Sequence, residues 1–515
     1  MNDVLNFFRA FAPREAGTEP GIEAGSRHRF TCADISLDQV RARFMNSVLP
    51  DDPVSLERYY DWLNEDVLPY TIDTAAPTFI GHMTSALPEY VHDLSRLVSR
   101  LNQNLVKIET SKSVTFLERE CIAMLHRLFY GLPEDFYQEH IQKLNSNTGI
   151  IASGGSTANL SALLSARNRL LYGPADEPAG SKSIYFLLRE QGYRDMVVLG
   201  TELMHYSFRK TLSVIGLGSE NIVRVANDAL GRMIPGDLEE KIRSCRKEGM
   251  LIVAVIGVAG STERGSIDPL LQIGSIARQH HIYFHVDAAW GGALAFSEKH
   301  RMLLEGIEEA DSITFCGHKQ LYLPQGISIC LFKDPAQLGY NAITANYQAK
   351  ADSFDTGRFT VEGSRPALSI CLHASLCVIG KRGYGLLIDR SIDHAVCFAR
   401  MIEETGGFEL ISRQINIINY RYIPLPFRER WRNRELTVEI NRQIDALNSE
   451  IQNRQFHKGM TFVSKTTIGH AIYGRIVVLR AVLSNPLTTQ EHLRQVLKDQ
   501  FSIVDELIEN QVYEP

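Results

Sequence analysis

The chain has 515 residues, 44% hydrophobic and 22% charged, with a formal net charge of −6. That balance belongs to a globular chain with core enough for about two to four domain-sized units. The small charge and the lack of a basic tract argue against a nucleic-acid partner, and no run of about 18 apolar residues marks a membrane span.

The N-terminal stretch Met1 to Arg14 carries Asp3 and has no basic start followed by an apolar run. Val4, Leu5, Phe7, Phe8 and Phe11 fit an amphipathic helix or arm better than a signal peptide, so the expected location is the cytoplasm. Residues 13–30 are rich in Pro, Gly and charge and read as a linker. The pattern from Ile35 to Val67 is helical. A loop-like stretch over 75–84 follows, then amphipathic helices over about 88–107 and 113–130.

From about 147 to 335 short apolar runs alternate with helical stretches. Examples are Gly149–Ala152, Met196–Leu199, Leu251–Ile256, Ile282–Val286 and Ser312–Phe315. Near-continuous apolar strands separated by helices predict a mainly parallel sheet covered on both faces, an α/β fold. After about 366 the chain turns helical again, with strand-like pieces at Ile415–Ile418 and Ile476–Leu479, which suits a smaller α+β domain. The expected division is 1–87 as a helical segment or arm, 88–365 as a large domain and 366–515 as a small domain.

The eight cysteines (Cys32, Cys121, Cys245, Cys316, Cys330, Cys371, Cys377 and Cys397) are scattered, and none forms a Cys-x-x-Cys pair. Buried free thiols are expected, with neither a disulfide frame nor a metal site.

Three signals carry chemistry. Ser153-Gly154-Gly155-Ser156-Thr157-Ala158-Asn159 stands between a strand and the helical run Leu160–Leu171. Backbone N–H groups of small residues there can converge on an anion, aided by the helix dipole. A tight turn with Ser156 or Thr157 as N-cap reads equally well. In His285-Val286-Asp287-Ala288-Ala289-Trp290-Gly291-Gly292, an acid ends an apolar strand, where open parallel sheets bind ligands. Asp287 suits a protonated pyridine nitrogen, with Ala289 leaving room for a flat ring, or it is a capping residue. His318-Lys319 follows the strand Ser312–Phe315, where a lysine is either an imine-forming amine or a surface charge. His205 follows another apolar run. All four features stand after predicted strands and so can meet at one sheet edge.

In this order and spacing the set resembles the group II pyridoxal-dependent amino-acid decarboxylases, which include glutamate and aromatic amino-acid decarboxylases. The resemblance runs from about Ala75 to Pro486. Gly317-His318-Lys319-Gln320-Leu321-Tyr322-Leu323-Pro324 with Phe332-Lys333-Asp334-Pro335 is most similar to a bacterial subgroup proposed to be pyridoxal-dependent aspartate 1-decarboxylases. The resemblance implies the fold type I architecture of pyridoxal 5'-phosphate enzymes: a large domain on a mainly parallel seven-stranded sheet, a small C-terminal α+β domain and an N-terminal helical arm. It also implies a homodimer with shared active sites.

By the same resemblance Lys319 holds the cofactor as a Schiff base, Asp287 keeps the pyridine nitrogen protonated, His205 stacks on the ring and Ala289 packs on the other face. Gly155, Ser156, Thr157 and His318 hold the phosphate, and Thr262 lies near the ring hydroxyl. Loss of the α-carboxylate as CO2 must be followed by return of a proton to Cα, which a loop tyrosine delivers in the family. Tyr347 stands 28 residues after Lys319 and is the candidate, with Tyr340 as the fallback; both also read as ordinary loop aromatics. Arg365 is expected to clamp a substrate carboxylate in preference to Arg358, and Phe79, His82 and Thr84 to line the substrate pocket. Two departures stand out: Gln320 where many relatives have Trp, and Cys316 where many have Asn or Asp. The implied reaction is α-decarboxylation of an acidic amino acid, L-aspartate to β-alanine. L-glutamate, cysteine sulfinate and aromatic amino acids are the alternatives.

Overall fold

The computed structural model describes residues 30–31, 35–173, 182–345, 350 and 352–509. The expected helix over 1–14, nearly all of the 13–30 linker, Cys32 and Tyr347 lie outside the described residues. The chain forms two compact units, Met1–Glu89 with Arg390–Pro515, and Tyr90–Asp389.

The 90–389 unit is built on a seven-stranded sheet in the order β1-β7-β6-β5-β4-β2-β3. Its strands are β1 (Gly149–Ala152), β2 (Asp195–Thr201), β3 (Ile222–Val225), β4 (Met250–Val258), β5 (Tyr283–Asp287), β6 (Ser312–Cys316) and β7 (Ser328–Phe332). β3, β2, β4, β5 and β6 run parallel, while β7 is antiparallel to both β6 and β1. The mainly parallel α/β sheet expected from the apolar runs is therefore present. All residues of β5, β6 and β7 are buried, as befits strands covered on both faces.

The helix Gly155–Tyr172 lies across this sheet. Ala158, Ala162 and Ala166, each buried and spaced four apart, let its backbone approach closely. Ala158 and Ala162 pack with Ile150, Cys330 and Phe332. Leu163 and Ala166 pack with Val198, Val253 and Ile256. Fully burying one such Val, Leu or Ile contributes about 1.5–3 kcal/mol.

The other unit carries a four-stranded antiparallel sheet in the order β10-β11-β9-β8. Its strands are β8 (Phe408–Gln414), β9 (Ile417–Tyr422), β10 (Ser464–His470) and β11 (Gly474–Val482). The strand expected at Ile415–Ile418 straddles the β8–β9 turn, where Ile415 takes φ 51°. The expected helix from Ile35 to Val67 is broken: helix forms over Leu37–Ala42 and resumes at Leu56. Pro50 and Pro53 stand in the gap, and proline disfavours helix at itself and just before it. The seven described cysteines are free, and no described helix is long and apolar enough to cross a membrane.

Candidate active site

Gly154 takes an extended conformation and caps the helix Gly155–Tyr172 with no side-chain hydrogen bond. The carbonyl of Gly154 accepts from the N–H groups of Thr157 and Ala158. A β-carbon on Gly155 would lie 3.0 Å from Cys316 Sγ and 3.9 Å from Ala289 Cβ. Gly155 thus forms a cradle against the turns that follow β5 and β6. Upstream, Ser153 donates both its N–H (2.8 Å) and its hydroxyl (2.7 Å) to Glu362 Oε1, and its Oγ lies 3.4 Å from Thr157 Oγ1.

Asp287 ends β5 and is 7% exposed. Its Oδ1 accepts from Ala289 N at 3.1 Å and its Oδ2 from Asn159 Nδ2 at 3.1 Å. With two N–H donors on it, the carboxylate acts purely as an acceptor, the role required opposite a flat cation. The turn after β5 presses on the turn after β4. Gly260, at φ 94°, would place a β-carbon 2.7 Å from Gly291 N, a close approach that excludes any side chain. Thr262 sits in the turn so fixed, half-buried and flanked by buried Ser261, whose hydroxyl bonds that of Ser266 at 2.6 Å.

Lys319 lies in the short helix Gly317–Gln320, directly after β6. His205 lies just beyond β2, half-buried, with its Nδ1 2.8 Å from Ser207 Oγ and accepting from Ser207 N at 3.3 Å. Nδ1 is therefore an acceptor, which leaves the proton of the neutral ring on Nε2. Burial pushes the His205 imidazole below its ordinary value. Asp287 partly opposes that shift, and Lys319 and Lys210 add to it. Asp287 and Lys319 both stand close enough to His205 for their charges to act on it.

The two departures at Cys316 and Gln320 have structural work. Cys316 Sγ accepts from Ser328 Oγ at 3.1 Å, and burial pushes its thiol up. Gln320, 1% exposed, donates from Nε2 to Trp290 O at 2.8 Å and so braces the turn after Asp287. His318 is half-buried, with Nδ1 3.1 Å from Ile327 O on the strand side.

Other expected residues are placed differently. Arg365 is 7% exposed, and its guanidinium is already committed: Nη2 to Glu118 Oε1 at 2.9 Å and to Thr356 Oγ1 at 3.0 Å, Nη1 to Ile151 O at 2.9 Å. It anchors β1 rather than offering a free fork to a substrate. Arg358, also buried, reaches Leu144 O. The Tyr340 carbonyl accepts from Asn168, 13 residues and roughly 20 Å along the helix from Gly155. Phe79, His82 and Thr84 belong to the other compact unit. There the Phe79 ring stacks on Phe462 at 4.8 Å and is buried in aromatic packing. His82 Nδ1 lies 2.7 Å from Thr84 Oγ1 and accepts from Thr84 N.

Sequence reasoning missed Asn159, His285, Glu118 and Glu362. Asn159 stands in the motif with Ser156 and Thr157, one helical turn into the helix, and that spacing was the available signal. The partners of Glu118 and Glu362 are 247 and 209 residues away, with no local pattern to reveal them.

Residues 43–423 match the family model described as the pyridoxal-dependent decarboxylase conserved domain. The chain is 39% identical over 483 residues to an aspartate 1-decarboxylase of Aliivibrio fischeri, covering 93% of this chain and 88% of that one. It is 29% identical over 449 residues to the human acidic amino acid decarboxylase GADL1, covering 85% and 79%. In fold it is similar to mouse CSAD in its apo form, with a TM-score of 0.80, 23% identity and 98% of both chains covered.

Proposed function

The chain belongs to the pyridoxal-dependent decarboxylase family, and from that premise we propose that it removes the α-carboxylate of L-aspartate to give β-alanine and CO2. As a member it is a pyridoxal 5'-phosphate-dependent amino-acid decarboxylase. The choice of aspartate is carried by the extended identity to the Aliivibrio fischeri enzyme. Similarity to GADL1, named for acidic amino acids, supports an acidic substrate.

The residues at the edge of the seven-stranded sheet fit the cofactor. The Gly155 cradle and a helix N-terminus without a side-chain cap suit its phosphate, and the acceptor geometry of Asp287 suits its pyridine nitrogen. In this reading Gly155, Ser156, Thr157 and His318 bind the phosphate, and Lys319 supplies the amine for the cofactor aldehyde. His205 and Ala289 border the ring, and Thr262 stands toward its hydroxyl. When bound, the cofactor supplies an electron sink for the pair left by the departing carboxylate. Asp287 holds a proton at the pyridine nitrogen, which gives that sink its strength. The neutral His205 adds bulk against the ring without adding charge. Tyr347 is the proposed donor of the proton that returns to the substrate's Cα, and His82 and Thr84 form part of the proposed polar pocket.

The proposed assembly is a homodimer with shared active sites, and the proposed location is the cytoplasm. No residue of the helices Leu37–Ala42 and Leu56–Trp62 is buried, while Leu49 is 86% exposed and Met45 72%. So much apolar surface on one stretch calls for a partner, and a second copy would cover it. Light scattering on the eluted holoenzyme tests this, with a monomer at micromolar concentration as the contrary result.

The substrate is tested by mixing holoenzyme with L-aspartate, L-glutamate, L-cysteine sulfinate and L-tryptophan in separate reactions and identifying the amine released with CO2. β-Alanine formed with the highest kcat/KM is expected. Preference for glutamate would replace the substrate, and no CO2 from any of the four would overturn the reading.

A further inference from the structure

Asp287 stands at the end of a buried chain of hydrogen bonds. Asn159 Nδ2 lies 3.1 Å from Asp287 Oδ2, His285 Nε2 lies 3.0 Å from Asn159 Oδ1, and His285 Nδ1 lies 2.8 Å from Ser312 Oγ. Asn159 is 1% exposed, and His285 and Ser312 are 0% exposed, so water cannot substitute for any member. The three come from separate elements: Asn159 from the helix Gly155–Tyr172, His285 from β5 and Ser312 from β6. His285 and Ser312 are direct cross-strand partners.

The chemistry of the members sets the direction of every proton. Asp287 as a carboxylate only accepts, so the amide nitrogen of Asn159 must face it. The amide oxygen then faces His285 Nε2, which must carry a hydrogen. A fully buried imidazole is neutral, so Nδ1 is bare and takes the hydroxyl proton of Ser312. Turning the amide over would set Asn159 Oδ1 against Asp287 Oδ2, oxygen against oxygen. With Ala289 N on Oδ1, both oxygens of Asp287 are held by donors that face one way.

We propose that Asn159, His285 and Ser312 form a one-way relay that fixes Asp287 as the acceptor for the cofactor's pyridine N–H, with Asn159 and His285 as positioning residues. This rests on the reading of Asp287 as the partner of that nitrogen. Removing the donor at His285 Nε2 leaves the buried Asn159 amide oxygen without its partner, so the amide is no longer held in place and its N–H turns away from Asp287. The pyridine proton is held less firmly, and so is the cofactor.

The test uses holoenzyme reconstituted with pyridoxal 5'-phosphate labelled with 15N at the ring nitrogen. The readouts are the 15N chemical shift of that nitrogen and the rate of cofactor release into an excess of apo-acceptor protein. His285→Phe fills the space without a donor, and His285→Gln keeps an amide N–H for Asn159 Oδ1. Asn159→Ala removes the middle member and serves if His285→Phe does not fold. Asp287→Asn is the reference. The expected result is a shift toward the unprotonated value and release about ten- to a hundred-fold faster in His285→Phe and Asn159→Ala, the cost of a hydrogen bond to a charged group. His285→Gln is expected to stay near wild type. If Asp287→Asn moves the shift while Asn159→Ala and His285→Phe match wild type, the relay is overturned and the Asp287 reading stands. If Asp287→Asn itself leaves the shift unmoved, the Asp287 reading fails, and the relay with it.

Discussion

Cys316 Sγ occupies the space beside Gly155, 3.0 Å from where a β-carbon on that glycine would sit. The contact joins the turn after β1 to the turn that carries Lys319, so the candidate phosphate cradle and the candidate cofactor lysine are set against each other by one sulfur atom. Cys316 cannot move aside, because it is buried and its sulfur accepts from Ser328 Oγ.

Gly155→Ala should therefore push the two turns apart at a cost of about 1–3 kcal/mol and weaken cofactor binding by about tenfold or more. Gly155→Ala with Cys316→Ala should recover most of the loss, because the sulfur that met the new methyl is gone. Titration of apoenzyme with cofactor, followed by absorbance, checks both. Equal loss in the single and double variants would show that Cys316 is not the obstacle.

Arg365→Met should act on stability before substrate affinity. It leaves Glu118, whose side chain is 3% exposed, as an unpaired buried acid, a loss of about 3–5 kcal/mol. Thermal and urea unfolding of the apoenzyme should report it. A normal unfolding curve joined to a large rise in KM would instead return Arg365 to the role of substrate clamp.

His126 makes stability depend on pH. It is 0% exposed, with Nδ1 3.1 Å from Tyr137 Oη and Nε2 3.1 Å from Phe332 O. Burial lowers it from 6.5 to about 4. The unfolded chain binds the proton first as pH falls, so this stability is full above about 6.5 and is lost as pH drops toward 4. At pH 5 the loss from this one group is about 2 kcal/mol. Asp268 works in the opposite sense: raised from 3.8 to about 6 by burial, it favours the folded state where it is protonated and loses that contribution as pH rises through 6. Urea unfolding at pH 7 and pH 5 should show a smaller pH-dependent change in His126→Asn than in wild type. An unchanged slope would mean that His126 does not carry it.

The strands that build the candidate site were legible because each is a short, buried and mostly apolar run. β3 was not. Ile222-Val223-Arg224-Val225 is a half-exposed edge strand with a charge in its middle. β7 is a buried, mostly apolar run like its neighbours, but its antiparallel direction follows from the turn after Lys319, which no apolar pattern encodes. Asp287 at the end of β5 and Lys319 just beyond β6 stood out against apolar surroundings. Their supports did not: Asn159 looked like one more small polar residue of the turn, and His285 like the interior of a strand. The clamp role of Arg365 was an expectation from resemblance alone, and its buried pairing with Glu118, 247 residues away, had no local pattern to announce it. Leu49 and Met45 fell within the expected helix but stand, exposed, in the gap between Ala42 and Leu56; an apolar residue without a partner in its own chain has the same sequence pattern as one that is covered.

The central claim places the cofactor on Lys319, at the sheet edge shared with Asp287 and His205. Reduction of the holoenzyme with borohydride, followed by protease digestion and peptide mass spectrometry, tests it most directly. The account predicts the phosphopyridoxyl mass on the peptide containing Lys319 and its absence from that peptide in Lys319→Ala. The same mass on a different lysine of the wild-type chain would contradict it.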